Sequence, residues 1–336
     1  MILEELSEKL QEIKVKNTFL YFITRVLKPV FKKSSKVMDK YIFKVYQIDV
    51  VDEIQKHLHE LSQEQLSYLA AKKTELQEYD IITDDTQKLF TYQMTNNAMS
   101  FADVVNKQLK SQPPRITSLE EIILNEELWA YCVGFHIKGS EWIYTFRKIL
   151  SGKVAIDEKE GNKKSVIQKA IRTVFGTKSQ KLELIQGETV NLDKQIDCIF
   201  YDDIFYIAKK TQFEQIVGLE EEFKEQAKEV LAVLEKTKMI EGLEVLEKQI
   251  EDNPSIHRKL VRLSKIGNYS ALNTNTISKM QEISRLHNEK LKVKNDKILI
   301  EDEKDLSIVV KLLCDYYKKG EVSGKSYGTF AGEKLD

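Results

Sequence analysis

The chain has 336 residues, 42% of them hydrophobic and 31% charged. That is enough apolar material for one large domain or two smaller ones, and too much for a disordered chain. The formal net charge of −1 rules out a uniformly basic or acidic protein, so any attraction to a polyanion must come from local charge.

Residues 3–13 carry Leu3, Leu6, Leu10 and Ile13 at helical spacing. Two strand-like runs follow, Thr18–Val26 and Tyr41–Val50, with the basic segment Lys28–Lys40 between them as a loop. Residues 51–79 read as a helix whose buried stripe is Ile54, Leu58, Leu61, Leu66 and Leu69. Pro113-Pro114 fits neither a helix interior nor a central strand. It suggests a boundary between an N-terminal α/β region, 1–112, and a sheet-plus-helix domain, 115–336. A short helix over Leu119–Glu127 would open the second part.

The middle of the chain reads as antiparallel sheet. Val133, Phe135 and Ile137 alternate with smaller or polar residues, Lys138-Gly139-Ser140 turns, and Trp142, Tyr144 and Phe146 alternate on the way back. A second hairpin runs from Gln195–Phe200 through Asp202-Asp203 into Ile204–Lys209. After Gly218 the period becomes helical, with Leu219, Phe223, Val230, Leu231 and Leu234 on one face and Glu220 and Lys224 paired on the other. Helix continues to about Lys265. Leu291–Ile300 is a short hairpin around Asn295-Asp296. Asp305 can cap a last helix striped by Leu306, Val309, Val310, Leu313 and Tyr317, which Gly320 can end. The expected fold class is α+β: a mixed, mainly antiparallel sheet built chiefly from 130–209, packed by helices from both ends of the chain, with a helical C-terminal part.

Cys132, Cys198 and Cys314 are odd in number, far apart and set in apolar surroundings. They read as buried free thiols of a reducing compartment, not as a disulfide framework or a metal cage. Acidic residues interrupt the apolar ones at the N-terminus, unlike a secretory signal, and no apolar run approaches the roughly 18 residues of a membrane helix. The expected location is the cytoplasm.

Charge is strongly segregated. From Lys14 to Lys44 there are nine Lys/Arg and one acid; from Lys138 to Lys181, eleven Lys/Arg against four acids; from Glu220 to Glu251, ten Glu against five Lys. No GxGxxG, GxxxxGK[ST], GxSxG, HExxH or CxxC is present, so nucleotide-dependent, esterase-type and common zinc chemistry lack a signature. One acidic cluster could be catalytic. Asp197, Asp202 and Asp203 with Lys209 resemble the carboxylates and lysine of metal-dependent nucleases, although the acid-x-Lys triplet is missing and Asp-Asp is also a natural turn. His57 and His59 flank Leu58 and cannot share a metal from one helix; both read as exposed. His136 reads as a packed or hydrogen-bonded strand histidine. The basic stretch is the sharper signal. Arg147, Lys148, Lys153, Lys163, Lys164, Lys169 and Arg172 follow an aromatic strand and suit phosphate neutralisation; the alternative is an ordinary solvated face. Arg258, Lys259 and Arg262 have helical spacing and could extend that surface.

The run Ile196 to Asp203, then Ile204 to Ile207, Phe213-Glu214 and Ile216, the Glu/Lys helix from Glu220, Leu312 to Tyr317, the Ser323-Gly324 turn and Tyr327 resembles the KwaB family of the Kiwa anti-phage system. The resemblance spans roughly 17–334 and is best from 190 onward. Where family members often carry Thr-Gly before the final Tyr, this chain has Ser323-Gly324-Lys325-Ser326. The resemblance implies a bacterial defence protein that binds double-stranded DNA, forms a homodimer and works with a small membrane protein of the KwaA type, which could bring it to the inner face of the membrane. The sequence therefore reads as a DNA-binding protein without enzymatic activity, cofactor or metal. A metal-dependent nuclease and a scaffold that docks partners on its acidic helix are the alternatives.

Overall fold

The computed structural model describes residues 2–27, 41–72, 75–83, 89–93, 101–116, 126–149, 192, 195–266 and 268–330, with four two- or three-residue strands between 155 and 184. It forms two compact units, one of 1–77 and 89–217, the other of 78–88 and 218–336.

The first unit is organised by a nine-stranded sheet in the order β3-β4-β13-β12-β7-β6-β1-β2-β5. The strands are β1 (Thr18–Leu27), β2 (Tyr41–Ile48), β3 (Leu76–Glu78), β4 (Leu89–Gln93), β5 (Arg115–Ile116), β6 (Glu127–Lys138), β7 (Glu141–Lys148), β12 (Cys198–Tyr201) and β13 (Ile204–Ile207). The short strands β8 (Ala155–Ile156) and β9 (Ser165–Val166) pair with each other, as do β10 (Thr173–Phe175) and β11 (Leu182–Leu184). Neighbours in the large sheet pair antiparallel wherever the register is resolved, except β2 with β5, which run parallel. The expected α+β class and the two hairpins expected in the middle of the chain are present.

Two layers cover the sheet. On one face α1 (Ile2–Glu12) and α2 (Asp52–Ala71) bring Leu3, Leu6, Leu10, Leu58, Leu66 and Leu69 onto Leu20, Phe22, Tyr131, Val133, Phe135 and Ile143. On the other, Phe101 and α3 (Lys210–Val217) enclose a ring cluster in which Phe43, Phe101, Phe146, Phe205 and Phe213 meet at centroid separations of 5.3–6.5 Å. Burial on both faces explains why β7 is buried continuously from Ile143 to Lys148 rather than at every second residue.

The second unit is mostly helical: α4 (Leu219–Thr237), α5 (Glu244–Asp252), α6 (Pro254–Ile266), α7 (Thr274–Leu286) and α8 (Glu303–Leu313). A small sheet, β14 (Ile240–Glu241), β16 (Lys297–Leu299) and β15 (Val293–Lys294), and a hairpin of β17 (Tyr317–Lys319) and β18 (Ser326–Gly328) complete it. Its core gathers Val230, Leu234, Leu260, Leu263, Ile277, Ile298, Val309 and Leu313.

Several expectations are corrected. The 112/115 boundary falls inside the first unit, because Gln47 donates to the Pro114 carbonyl and β5 then extends the sheet. The helix expected over 51–79 stops at Ala71, and Ile54 in its first turn is 43% exposed. The expected helix at Leu119–Glu127 lies largely outside the described residues, and Glu127 itself opens β6. The cap of α8 is Asp302, whose carboxylate accepts from the Asp305 amide at 2.8 Å; Asp305 is buried and accepts from the Glu301 amide and Lys292. That helix ends at Leu313, so Tyr317 belongs to β17 and Gly320 to the hairpin turn. His59 is buried rather than exposed, with Nδ1 2.8 Å from the Thr18 hydroxyl, and burial lowers its pKa; His57 is exposed. His136 is hydrogen-bonded as expected, Nε2 to the Gly139 carbonyl at 3.0 Å.

Candidate nucleic-acid interface

Asp197 stands at the entry to β12 and is fully buried. Its carboxylate accepts from Arg147 Nη1 at 2.5 Å and from the Lys148 amide at 2.7 Å, while its amide donates to the Phe146 carbonyl. A buried carboxylate satisfied in this way fixes the β7–β12 junction and leaves little for a metal. Asp202 and Asp203 occupy the far end of the same hairpin, both exposed, with φ of 49° and 59°. At about 3.3 Å per strand residue, five residues separate Asp197 from Asp202 by about 16 Å. Lys209 is exposed, and its amide donates to the Asp197 carbonyl. The four residues therefore do not converge, and no group of three metal-ligating side chains occurs among the described residues.

The basic residues divide into three sets. Arg147 and Lys148, expected on an accessible face, are 8% and 7% exposed. Arg147 is committed to Asp197. Lys148 donates to the carbonyls of Trp129 and Ile149, and its Nζ lies 3.5 Å from the centre of the Trp129 ring. Arg25 covers Trp129 as well, at 3.3 Å, and the indole N–H donates to the Ile216 carbonyl at 3.2 Å. These cations hold the sheet together because desolvated charges need partners, and an alternating strand with layers on both faces leaves no solvent side. Lys153, Lys163, Lys164, Lys169 and Arg172 lie outside the described residues.

The third set, on α6, is half-buried. Lys259 Nζ lies 5.1 Å from the Phe330 ring centre, and Arg262 donates to the Ile81 carbonyl at 3.1 Å. Arg258 is engaged too. The acidic helix α4 is partly self-neutralised, since Lys224 pairs with Glu251 at 2.7 Å instead of with Glu220, and Lys228 reaches Glu225 and Glu251.

The last hairpin carries cations that the sequence reading passed over. Phe330 packs on Tyr316 at 4.7 Å, and Tyr316 lies over Gly328, rooting the β17–β18 hairpin. Its tip is bare: Lys318, Lys319, Lys325 and Tyr327 are exposed, and Val322 is 104% exposed. No acidic partner of the three lysines is found among the described residues. Reading Tyr317 as the end of a helical stripe hid this ribbon. Two lysines before and one after a Ser-Gly turn were the available signal.

A family model described as Kiwa protein KwaB-like matches residues 125–323, more than half of the chain. The chain belongs to the KwaB-like family. This ties it to Kiwa anti-phage defence, as the resemblance implied. The KwaB-like match takes in the central β6–β7 and β12–β13 hairpins and runs through the helices of the second unit to the turn of the last hairpin. No curated protein and no solved structure matches the chain. No helix among the described residues is long and apolar enough to cross a membrane.

Proposed function

We propose that this KwaB-like protein is a non-enzymatic defence effector that binds duplex DNA through its phosphate backbone and so obstructs replication or transcription of phage DNA. It acts as a homodimer with a small membrane protein of the KwaA type, which recruits it to the inner face of the membrane. The observation that carries the DNA reading is the exposed group Lys318, Lys319 and Lys325 on the last hairpin, which has no acidic partner among the described residues. The nuclease alternative is weakened by Asp197, which spends its carboxylate on Arg147 and the Lys148 amide.

The test is a titration of the full chain against two duplexes of unrelated sequence, with and without magnesium, across a range of salt. Phosphate contacts carry no base information, so both duplexes should bind alike, and affinity should fall linearly on a log–log salt plot by about 0.9 per phosphate contacted. The duplexes should stay intact with magnesium. No binding at low salt would sink the DNA reading and favour the scaffold; magnesium-dependent cutting would favour the nuclease.

A further inference from the structure

We infer that the β17–β18 hairpin is a DNA-contacting ribbon that enters the major groove. The inference rests on the DNA reading above and assigns it a site.

The side chains at the tip are exposed. Val322 buries none of its side chain, and Tyr327 is 53% exposed, its hydroxyl 3.2 Å from that of Ser323. The ordering effort goes instead into shaping the ribbon. The Gly320 amide donates to the Lys325 carbonyl, the Gly324 amide donates to the Gly320 carbonyl, and Gly324 takes φ of 64°. At the base, the Thr329 amide closes onto the Tyr316 carbonyl, and the Tyr316, Tyr317 and Phe330 rings anchor the ribbon to the unit's core. A rooted hairpin thus carries a basic, aromatic and aliphatic tip into solvent.

The register decides how such a tip meets a ligand. Lys318 pairs with Tyr327 on one face, and Lys319 pairs with Ser326 on the other. Cations on both faces suit a ligand with charge on two sides. The major groove is about 12 Å wide, admits a two-stranded ribbon and is walled by two phosphate backbones. Lysines neutralise each wall, and Val322 at the tip has only apolar contact to offer the groove floor. One acid, Glu321, lies among the three lysines, so the tip keeps a net positive charge. At the root, Lys259 of α6 lies 5.1 Å from the Phe330 ring centre, which adds one cation beside the base of the ribbon.

A fluorescence-anisotropy titration of the full chain compares wild type with the triple variant Lys318→Gln, Lys319→Gln, Lys325→Gln. Each lysine that contacts one phosphate contributes about 0.9 to the log–log salt slope, so the variant should be shallower by about 2.7 and weaker by about 500-fold near 0.1 M salt. Circular dichroism should be unchanged, because the lysines touch nothing that folds the unit. Formaldehyde crosslinking of wild type to duplex is an independent measure and should map to the hairpin lysines. If wild type binds duplex but the variant keeps its affinity and slope, the hairpin assignment is wrong and the DNA reading stands. If wild type binds no duplex at low salt, both fall. If wild type binds vesicles of one-third phosphatidylserine instead of duplex, and the variant does not, the ribbon is a lipid contact and the DNA assignment is overturned.

Discussion

Asp197 and Asp202 are five positions apart on one hairpin, yet opposite forces govern them. Asp197 is desolvated and survives as a charge only because Arg147 and the Lys148 amide compensate it. Removing one partner of such a pair leaves the other buried and uncompensated. Asp197→Ala should therefore lower unfolding stability by about 3–5 kcal/mol. Asp202→Asn keeps a side chain that tolerates the left-handed turn and removes only a solvated charge, so it should stay within about 0.5 kcal/mol. Urea unfolding of the two variants checks this; equal losses would mean the Arg147–Asp197 pair does not bear the junction. The thiols follow the same logic of desolvation. Burial raises the pKa of Cys132 and Cys198 well above the ordinary thiol range and that of Cys314 to about 12, so all three are held as thiols rather than thiolates.

At the scale of elements, two glycines with similar backbone angles have different reasons to be there. Gly139 turns the β6–β7 hairpin at φ of 55°, and an added Cβ would meet nothing within 4 Å. Gly242, between β14 and α5 at φ of 85°, lies so close to β16 that a Cβ would sit 1.8 Å from the Ile300 carbonyl oxygen. Gly139→Ala should cost about 1–2 kcal/mol, the left-handed penalty alone. Gly242→Ala must in addition push β14 away from β16, and should exceed that by at least about 2 kcal/mol. Chemical denaturation decides, and equal costs would show that the chain does not pass so near Gly242. The hairpins, the free buried cysteines and the long helices were legible because alternation, turn dipeptides and a 3.6-residue period are local properties. The joining of β1, β2 and β4 to the central hairpins was not, since strand order between distant segments depends on contacts that no window contains. For the same reason Arg147 and Lys148 read as surface residues. Only the two covering layers show that β7 has no outer face.

At the scale of the whole molecule, the charge pattern was legible only as composition, and folding redistributed it. Buried cations support the sheet, half-buried ones line α6, and bare ones stand on the last hairpin. Two of the apolar clusters each keep to one unit. One cluster, with Leu66 at its heart, lies wholly in the first unit; another, around Leu260, lies wholly in the second. Each is large enough to melt cooperatively, and proteins with more than one core commonly depart from a single two-state transition. Leu66→Ala and Leu260→Ala each delete a side chain with no exposed surface, and should each cost about 2–5 kcal/mol. Differential scanning calorimetry should resolve two transitions, with Leu66→Ala lowering one and Leu260→Ala the other. Duplex DNA should then raise the transition sensitive to Leu260→Ala, because a ligand stabilises the unit that binds it, and the proposed hairpin and α6 both belong to that unit. Stabilisation confined to the Leu66 transition would place the DNA contact in the first unit and remove the hairpin from the interface.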